Sequence, residues 1–373
     1  MIIGVPKEIK DLETRVGLTP RYVKLLTEQG YKVLIQKGLA AAADVADEEY
    51  IKAGADIVET ANDIYNGSEM VIKFKDYIEG EYDAPMKEGQ IIFCFFHLGE
   101  NEPDFTITNK MIMSKATGIS YELLQQDDGS RPVMKPMSEI AGRLTAIVAA
   151  QLCQKPFGGS GVCPAAITGV KKPKYIILGG GNAGFAAAQV VEALGTEVTV
   201  FEMLYDRLQY LRPLLSKSQL VIFDKNILEE MVQDCDVLIN TIYPYPGMEI
   251  PVVSRDMVKT MKKGSVIIDI VGTGIIETSR YTTISDPTYI EEGVVHYGVD
   301  NMPALVPATS SEAFCQTIYP FVSAVANKGL KKACEEDKVL CRGMSFYDGH
   351  IVHKDIAQTH DMPYKPFDTN IIK

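Results

Sequence analysis

Tyr175-Ile-Ile-Leu-Gly-Gly-Gly-Asn-Ala-Gly-Phe185 sets the reading of the whole chain. Four apolar residues, Tyr175 to Leu178, read as a short buried strand. Gly179, Gly181 and Gly184 follow on the spacing G-x-G-x-x-G, and Ala186 to Leu194 has helical composition. Glu197-Val-Thr-Val-Phe201 reads as a second strand that ends in Glu202. Strand, glycine turn, helix and strand in that order are what a dinucleotide-binding βαβ unit requires. Gly179 lets the chain turn off the strand, Gly181 lets backbone approach a pyrophosphate, and Gly184 lets the helix pack against the sheet. Free N–H groups and the helix dipole then attract the phosphates. Glu202 stands about where an acid grips a ribose 2′-hydroxyl, and its charge repels a 2′-phosphate, so the reading favours NAD over NADP.

Outward from that stretch, 373 residues suffice for two domains with large cores. The 46% hydrophobic content is that of an ordinary soluble globular protein. Lys and Arg number 37 against 49 Asp and Glu, a net charge of −12, which argues against a nucleic-acid partner because phosphate binding needs a basic surface. The start, Met1 to Lys10, is too charged for a secretory signal. The longest apolar run, Ile140 to Cys153, is interrupted by Arg143, so no membrane span is expected. The seven cysteines form no C-x-x-C pair and read as reduced, buried thiols of a cytoplasmic protein. No His/Cys cluster has metal-ligand spacing, so no metal is expected.

Residues 1–123 alternate strand and helix patterns. Strands are expected at Ile2–Val5, Lys32–Ile35, Asp56–Val58, Glu69–Lys75, Ile91–His97 and Thr117–Tyr121, and helices at Tyr22–Glu28, Asp47–Ala53 and Pro103–Ser114. Such alternation predicts a parallel sheet covered on both faces. No glycine fingerprint follows Val5, so this sheet should hold no dinucleotide of its own. Pro132 to Pro136 reads as a hinge, and Ser138–Gln154 as a long helix with Ile140, Leu144, Ile147 and Val148 on one side. Six strands follow, at 175–178, 197–201, 219–223, 236–240, 265–270 and 294–299, the count of a complete dinucleotide fold. Helices at Ser311–Asn327 and Leu330–Glu336 come too late for that sheet and should cross back to the first domain. The polar tail from Asp361 is expected to be poorly ordered. The fold expected is α/β, with two doubly wound, Rossmann-like domains and an interdomain cleft. Residues 1–132 and 308–373 would form the substrate domain and residues 133–307 the NAD(H)-binding domain.

Ligands of doubly wound sheets sit at the carboxyl ends of the strands. In the first domain Lys75 and His97 each end an expected strand, and Arg15 lies in the loop after the first. In the second, Asn240-Thr241, Asp269, Asp300 and Asn301 fall near such ends. Arg15 could grip a carboxylate with two prongs, or form a surface ion pair with Glu8 or Glu13. Lys75 could add a second positive charge, or be a solvated edge residue, with Lys73 nearby as a rival. His97 could be a satisfied core residue or an acid–base group. Together, beside a cofactor domain, two cations and an imidazole suit a small carboxylate substrate and a proton transfer accompanying hydride transfer.

These residues belong to a wider pattern. It comprises Gly4-Val-Pro-Lys-Glu8, Arg15-Val-Gly-Leu-Thr-Pro20, Lys73-Phe-Lys75, His97-Leu98, Tyr121-Glu122 and Pro136-Met-Ser-Glu-Ile-Ala-Gly-Arg143. The glycine loop, Glu277-Thr-Ser-Arg280, Ser285-Asp-Pro287, Asn301-Met-Pro303 and Val306-Pro307 complete it. In all of these the chain resembles alanine dehydrogenases and the related NAD(H)-binding part of proton-translocating transhydrogenase. The resemblance implies a two-domain, commonly hexameric enzyme with its substrate between the domains. It implies Arg15 and Lys75 as the carboxylate clamp and His97 as the acid–base residue. It also implies Met137, Ser138, Gly179, Gly181, Asn182, Ala183, Gly184, Glu202, Asn301 and Met302 as cofactor contacts, with Asn301 also near the substrate. The implied reaction is NAD-dependent oxidative deamination of a small L-amino acid, by default L-alanine to pyruvate and ammonium.

One place departs from the family, which carries Asp-x-Ala-x-Asp-Gln-Gly-Gly after the fifth strand with a catalytic second aspartate. This chain has Asp269-Ile-Val-Gly-Thr-Gly-Ile-Ile276, with Thr273 where the second aspartate is expected. Asp300 could compensate as a catalytic carboxylate, or could cap a turn. The altered loop leaves open a dehydrogenase of a larger amino acid or of a secondary amine of the saccharopine or opine kind. A non-catalytic NAD(H)-binding module is the reading from a different class. Retention of Arg15, Lys75 and His97 argues against it.

Overall fold

Short Ile- and Val-rich runs with helices between them build two parallel sheets. The computed structural model describes residues 1–99, 104–244, 248–272 and 274–372. The chain divides into two compact units, Met1–Met137 with Val306–Lys373, and Ser138–Leu305.

The first unit opens with β1 (Ile2–Val5), β2 (Lys32–Gln36), β3 (Asp56–Val58), β4 (Met70–Ile72), β5 (Ile91–Cys94) and β6 (Thr117–Ser120). They pair in parallel in the order β6-β5-β4-β1-β2-β3. β1 therefore lies beside both β2 and β4, where the winding reverses. Helices Pro20–Glu28, Asp47–Lys52 and Phe105–Ser114 were expected, although Pro103 itself lies outside the described residues. The helix Ala61–Gly67 was not expected. Its signal is a capping box, in which Thr60 and Asp63 each accept the other's backbone N–H. β4 and β5 are shorter than the sequence suggests. The ladder continues through Lys73 N–H to Phe93 O and Phe95 N–H to Phe74 O. The Phe74 N–H then leaves it for the Glu8 carboxylate.

The second unit holds β7 (Lys174–Leu178), β8 (Glu197–Glu202), β9 (Gln219–Ile222), β10 (Val237–Asn240), β11 (Val266–Asp269), β12 (Thr288–Glu291) and β13 (Val294–Tyr297). Their order is β12-β13-β11-β10-β7-β8-β9. The six expected strands are parallel and repeat the winding of the first unit. β12 is an addition, antiparallel to β13 at the edge. Four residues after Pro287 gave no periodicity to read.

The long helix runs Met134–Leu152, so the expected hinge at Pro132–Pro136 is partly helical. Pro136 falls in the first turn, where its missing N–H has no acceptor to lose. The fully buried face is made mostly of small residues, although Leu144 and Val148 also pack against the core. That face is Ala141, Gly142, Thr145, Ala146, Ala149 and Leu152, while Ile147 is 57% exposed. A Cβ on Gly142 would stand 2.0 Å from the Ala183 carbonyl oxygen. The helix lies so close to the Asn182–Ala193 helix that only small residues fit between them.

After Val306 the chain adds to the first unit. Helix Pro307–Glu336 breaks at Gly329, close to where two helices were expected. β14 (Met344–Tyr347) and β15 (His350–Ile351) form a hairpin that joins β6 antiparallel and extends the sheet. Its turn is Asp348-Gly349, both with positive φ (47° and 77°). That is an Asp-Gly hairpin signal that the sequence reading passed over. Most of residues 361–370 are exposed, but the tail is tied down at two points. Tyr364 bridges Ile351, and Ile372 is 7% exposed in the core. No helix among the described residues is long and apolar enough to cross a membrane.

Candidate active site

The carboxyl ends of β1, β4, β5 and β6 bring charged groups together in the first unit. Lys75 and His97 stand three residues beyond the ends of β4 and β5, in loops rather than in strands. The Lys75 Nζ lies 2.9 Å from His97 Nε2. An ammonium can only donate, so His97 presents a lone pair at Nε2 and carries its proton on Nδ1. Its ring stacks on Phe95, with centroids 5.7 Å apart. The Lys75 ammonium also lies 3.5 Å from Asp76. Burial would raise the Asp76 carboxyl, but Lys75 and Lys10 outweigh it and hold it below the ordinary carboxylate range.

Lys73, the rival, is excluded by its surroundings. It is 1% exposed and donates to Glu8 at 2.5 Å, and it pairs with Glu81 at 2.9 Å. Burial alone would lower its pKa, but these two acids hold it above its ordinary value. Burial pushes the Glu8 carboxyl up, against the pull of Lys73. Lys73 therefore locks the segment that carries Lys75.

Arg15 is buried, and its ion-pair partner is Glu13 rather than Glu8. Nε and Nη2 donate to the two Glu13 oxygens at 2.7 and 2.5 Å, a two-pronged pair. Nη1 donates to the Met137 sulfur at 3.7 Å, and the guanidinium lies 4.3 Å from the Phe74 ring centroid. Phe74 packs on Phe95, so one aromatic cluster supports both Arg15 and His97. Met137 thus stands beside Arg15, not in the glycine-turn unit.

His97 has a φ of +53°, left-handed for a residue with a Cβ. That conformation costs roughly 1–2 kcal/mol. The His97 N–H donates to Glu122 Oε1 at 2.8 Å. A hydrogen bond to an acceptor held in place contributes about 0.5–1.5 kcal/mol, the same order as the strain. Burial pushes the Glu122 carboxyl above the usual range, against the pull of His97. In the sequence Glu122 stands out only as part of the Tyr121-Glu122 motif. The signal for a role was its position directly after β6, on the same edge as Lys75 and His97.

In the second unit the three glycines do what their spacing suggests. Gly179 has φ +91°, and a Cβ on Gly184 would stand 1.8 Å from the Gly179 carbonyl oxygen. A Cβ on Gly181 would meet nothing within 4 Å. Gly181 caps the twelve-residue helix Asn182–Ala193 with no side-chain cap, and Gly181 and Asn182 are exposed. This is open backbone at a helix start, the cradle a pyrophosphate needs. Glu202 Oε2 accepts from Gly180 N–H at 2.9 Å, and Oε1 accepts from Met203 and Leu204. A carboxylate has about four lone-pair directions, so Oε2 keeps one for a hydroxyl. These residues fit a dinucleotide.

At the end of β11, Asp269 is a loop clamp. Its Oδ1 accepts from Asn240 Nδ2, Val271 N–H and Gly272 N–H at 2.9, 3.1 and 3.0 Å. Thr273 lies outside the described residues. Asp300 is exposed after β13, and Ser138, Ala183 and Asn301 are half-buried. The Met302 side chain is 0% exposed and its sulfur accepts from the Thr145 hydroxyl, so only its backbone could reach a cofactor. Among the described residues no group of three or more His, Cys, Asp or Glu could hold a metal.

The family models for the alanine dehydrogenase/PNT N-terminal and C-terminal domains match residues 4–141 and 145–354. The chain belongs to the alanine dehydrogenase/PNT family. The alanine dehydrogenase of Methanococcus maripaludis is 38% identical to it over 98% of each chain. A solved L-alanine dehydrogenase superposes with a TM-score of 0.90 at 38% identity, covering 97% of this chain and 99% of that one. A transhydrogenase from Sinorhizobium meliloti, 21% identical, shares the fold with a TM-score of 0.78 over 95% of this chain and 99% of its own. The resemblance read from the motifs is therefore borne out, as is the two-sheet α/β fold.

Proposed function

We propose that the protein is an NAD-dependent alanine dehydrogenase, converting L-alanine, NAD and water into pyruvate, ammonium and NADH with release of a proton. The observation that carries this is the Lys75–His97 contact of 2.9 Å, which sets a carboxylate-seeking cation directly on the basic nitrogen of an imidazole. Family membership and the likeness to a solved L-alanine dehydrogenase support it.

Bound at the glycine turn of the second unit, NAD supplies the acceptor for the hydride from alanine Cα. Gly179, Gly181, Asn182, Ala183 and Gly184 would hold its phosphates, and Glu202 its ribose. Ser138, Asn301 and the Met302 backbone are assigned to the same ligand. Arg15, oriented by Glu13 and Met137, and Lys75 take the substrate carboxylate. His97 removes one proton from the water that adds at the electron-poor Cα and returns it to the nitrogen; the C–N bond then breaks, the added oxygen gives up its remaining proton to become the pyruvate carbonyl, and ammonia leaves. Asp300 is assigned as a second carboxylate acting on the substrate, in place of the one the family carries in the loop that here holds Thr273. The working form is a cytoplasmic homo-oligomer, a hexamer by family resemblance.

The test is NADH formation by the purified protein with a panel of L-amino acids and secondary amines, and the reverse reaction with pyruvate and ammonium. Turnover with L-alanine in both directions is expected. Turnover only with another amine would make the altered loop a change of specificity. Silence across the panel with NADH still bound would favour a binding module.

A further inference from the structure

Glu122 takes part in no step of the reaction proposed above, yet it is built into the site. Its Oε1 accepts from the His97 main chain at 2.8 Å. Its Oε2 is shut off from solvent and finds no partner among the described residues. A buried carboxyl with an unused oxygen is poor structural economy, since a bound N–H alone could be satisfied by a neutral oxygen. The other Glu122 oxygen, in a half-buried residue, is taken up by the His97 N–H. What it does touch is the one left-handed residue at the end of β5, and that residue carries the imidazole.

We propose that Glu122 is a positioning residue, whose carboxyl oxygen holds the His97 backbone in the left-handed conformation that presents Nε2 to Lys75. The chain of contacts is short. β6 ends at Ser120, and Tyr121, whose ring packs edge-on against Phe95, opens the short turn that delivers Glu122. Phe95 in turn stacks on the His97 ring. Phe95 therefore sets the plane of the imidazole, and Glu122 sets the direction in which the chain carries it. Without the acceptor, His97 relaxes to negative φ and its ring leaves Lys75. The cofactor residues belong to the other unit and are untouched by this change.

The inference rests on the alanine dehydrogenase reading for His97, but its test separates the two. Glu122→Gln keeps the reach and an accepting oxygen while removing the charge. Glu122→Asp keeps the charge but shortens the reach by one methylene. If position is what matters, E122Q stays near wild type in kcat, and E122D loses on the order of 10- to 100-fold, as expected when a reacting group is displaced by about an ångström. The KM for alanine should move much less than kcat, and the NADH Kd should not change. Crystal structures supply a readout independent of turnover, with positive φ at His97 kept in E122Q and lost in E122D. E122D with wild-type kcat and an unchanged His97 would overturn the inference. So would E122Q as impaired as E122D, because the charge and not the acceptor would then be the agent. Failure of the wild type to oxidise alanine would refute the functional reading alone, and the His97 conformations in the two variants would still decide the inference.

Discussion

Lys73→Met should destabilise the first unit far more than it affects chemistry. Lys73 is 1% exposed, and its ammonium lies 2.5 Å from Glu8 and 2.9 Å from Glu81. Methionine fills similar volume but leaves Glu8 without its cation. Removing one partner of such a buried pair costs about 3–5 kcal/mol, because the remaining charge is uncompensated. At about 2–4 °C per kcal/mol for a unit of this size, the melting temperature should fall by roughly 10 °C. Replacing both partners, Glu8→Gln with Lys73→Met, should recover part of the loss, since Glu8 is then neutral and only Glu81, 11% exposed, keeps a charge without its cation.

The pH dependence has a definite sign. Burial already raises Glu8 above its ordinary 4.5, and losing Lys73 raises it further. A folded-state carboxyl that binds its proton more tightly than the unfolded one favours folding at low pH and opposes it as pH rises. The deficit of K73M should therefore be small near pH 4.5 and grow towards neutrality. Urea unfolding at several pH values, read by circular dichroism, measures it. A K73M protein within about 1 kcal/mol of wild type at pH 7, or a double variant no better than the single one, would refute the assignment of Lys73 as a structural lock.

Lys75→Met should show the converse pattern, with melting unchanged and the KM for alanine up by about 10- to 100-fold, the loss of one charge-assisted contact. Gly181→Ala should change stability by under about 1 kcal/mol, since its Cβ meets nothing within 4 Å, yet weaken NADH binding about 10-fold in fluorescence titration. Gly184→Ala, with its Cβ 1.8 Å from the Gly179 oxygen, should lose both NADH binding and about 1–3 kcal/mol or more of stability. Asp300→Ala should cut kcat at least about 10-fold with NADH affinity retained, and normal turnover would remove Asp300 from the mechanism.

The parts legible in the sequence were those with a local signal. The glycine turn, the six parallel strands of each sheet and the cationic residues at strand ends all announce themselves within a few residues. The misses share a physical cause, which is that the decisive contact is remote. Nothing near Lys73 says that it is buried on Glu8, 65 residues away in sequence, while Lys75 is not. Apolar periodicity marks the large residues of helix Met134–Leu152, of which Leu144 and Val148 pack on the core while Ile147 is exposed. The close approach of the Asn182–Ala193 helix selects its small ones. The role of Glu122 depends on the φ of His97, and no sequence pattern predicts a left-handed histidine. The hairpin at Asp348-Gly349 is the exception, since its signal was local and strong.

The two sheets also explain why one unit offers bare N–H groups to an anion and the other does not, although both are wound alike. In each, the first strand lies where the winding reverses, between β2 and β4 or between β8 and β10. Ligand chemistry there is decided by the residues that leave that strand. After β7 come glycines and a bare helix start, which offer N–H groups to an anion. After β1 comes Pro6, which has no N–H to offer, and then Glu8, which places a carboxylate at the same relative point. That acid repels a phosphate and recruits Lys73, and Glu13 recruits Arg15 a turn later. The buried acids thus hold cations in fixed positions around the edge of the sheet. A fixed array of cations is what a small carboxylate needs, and a glycine turn could not provide it.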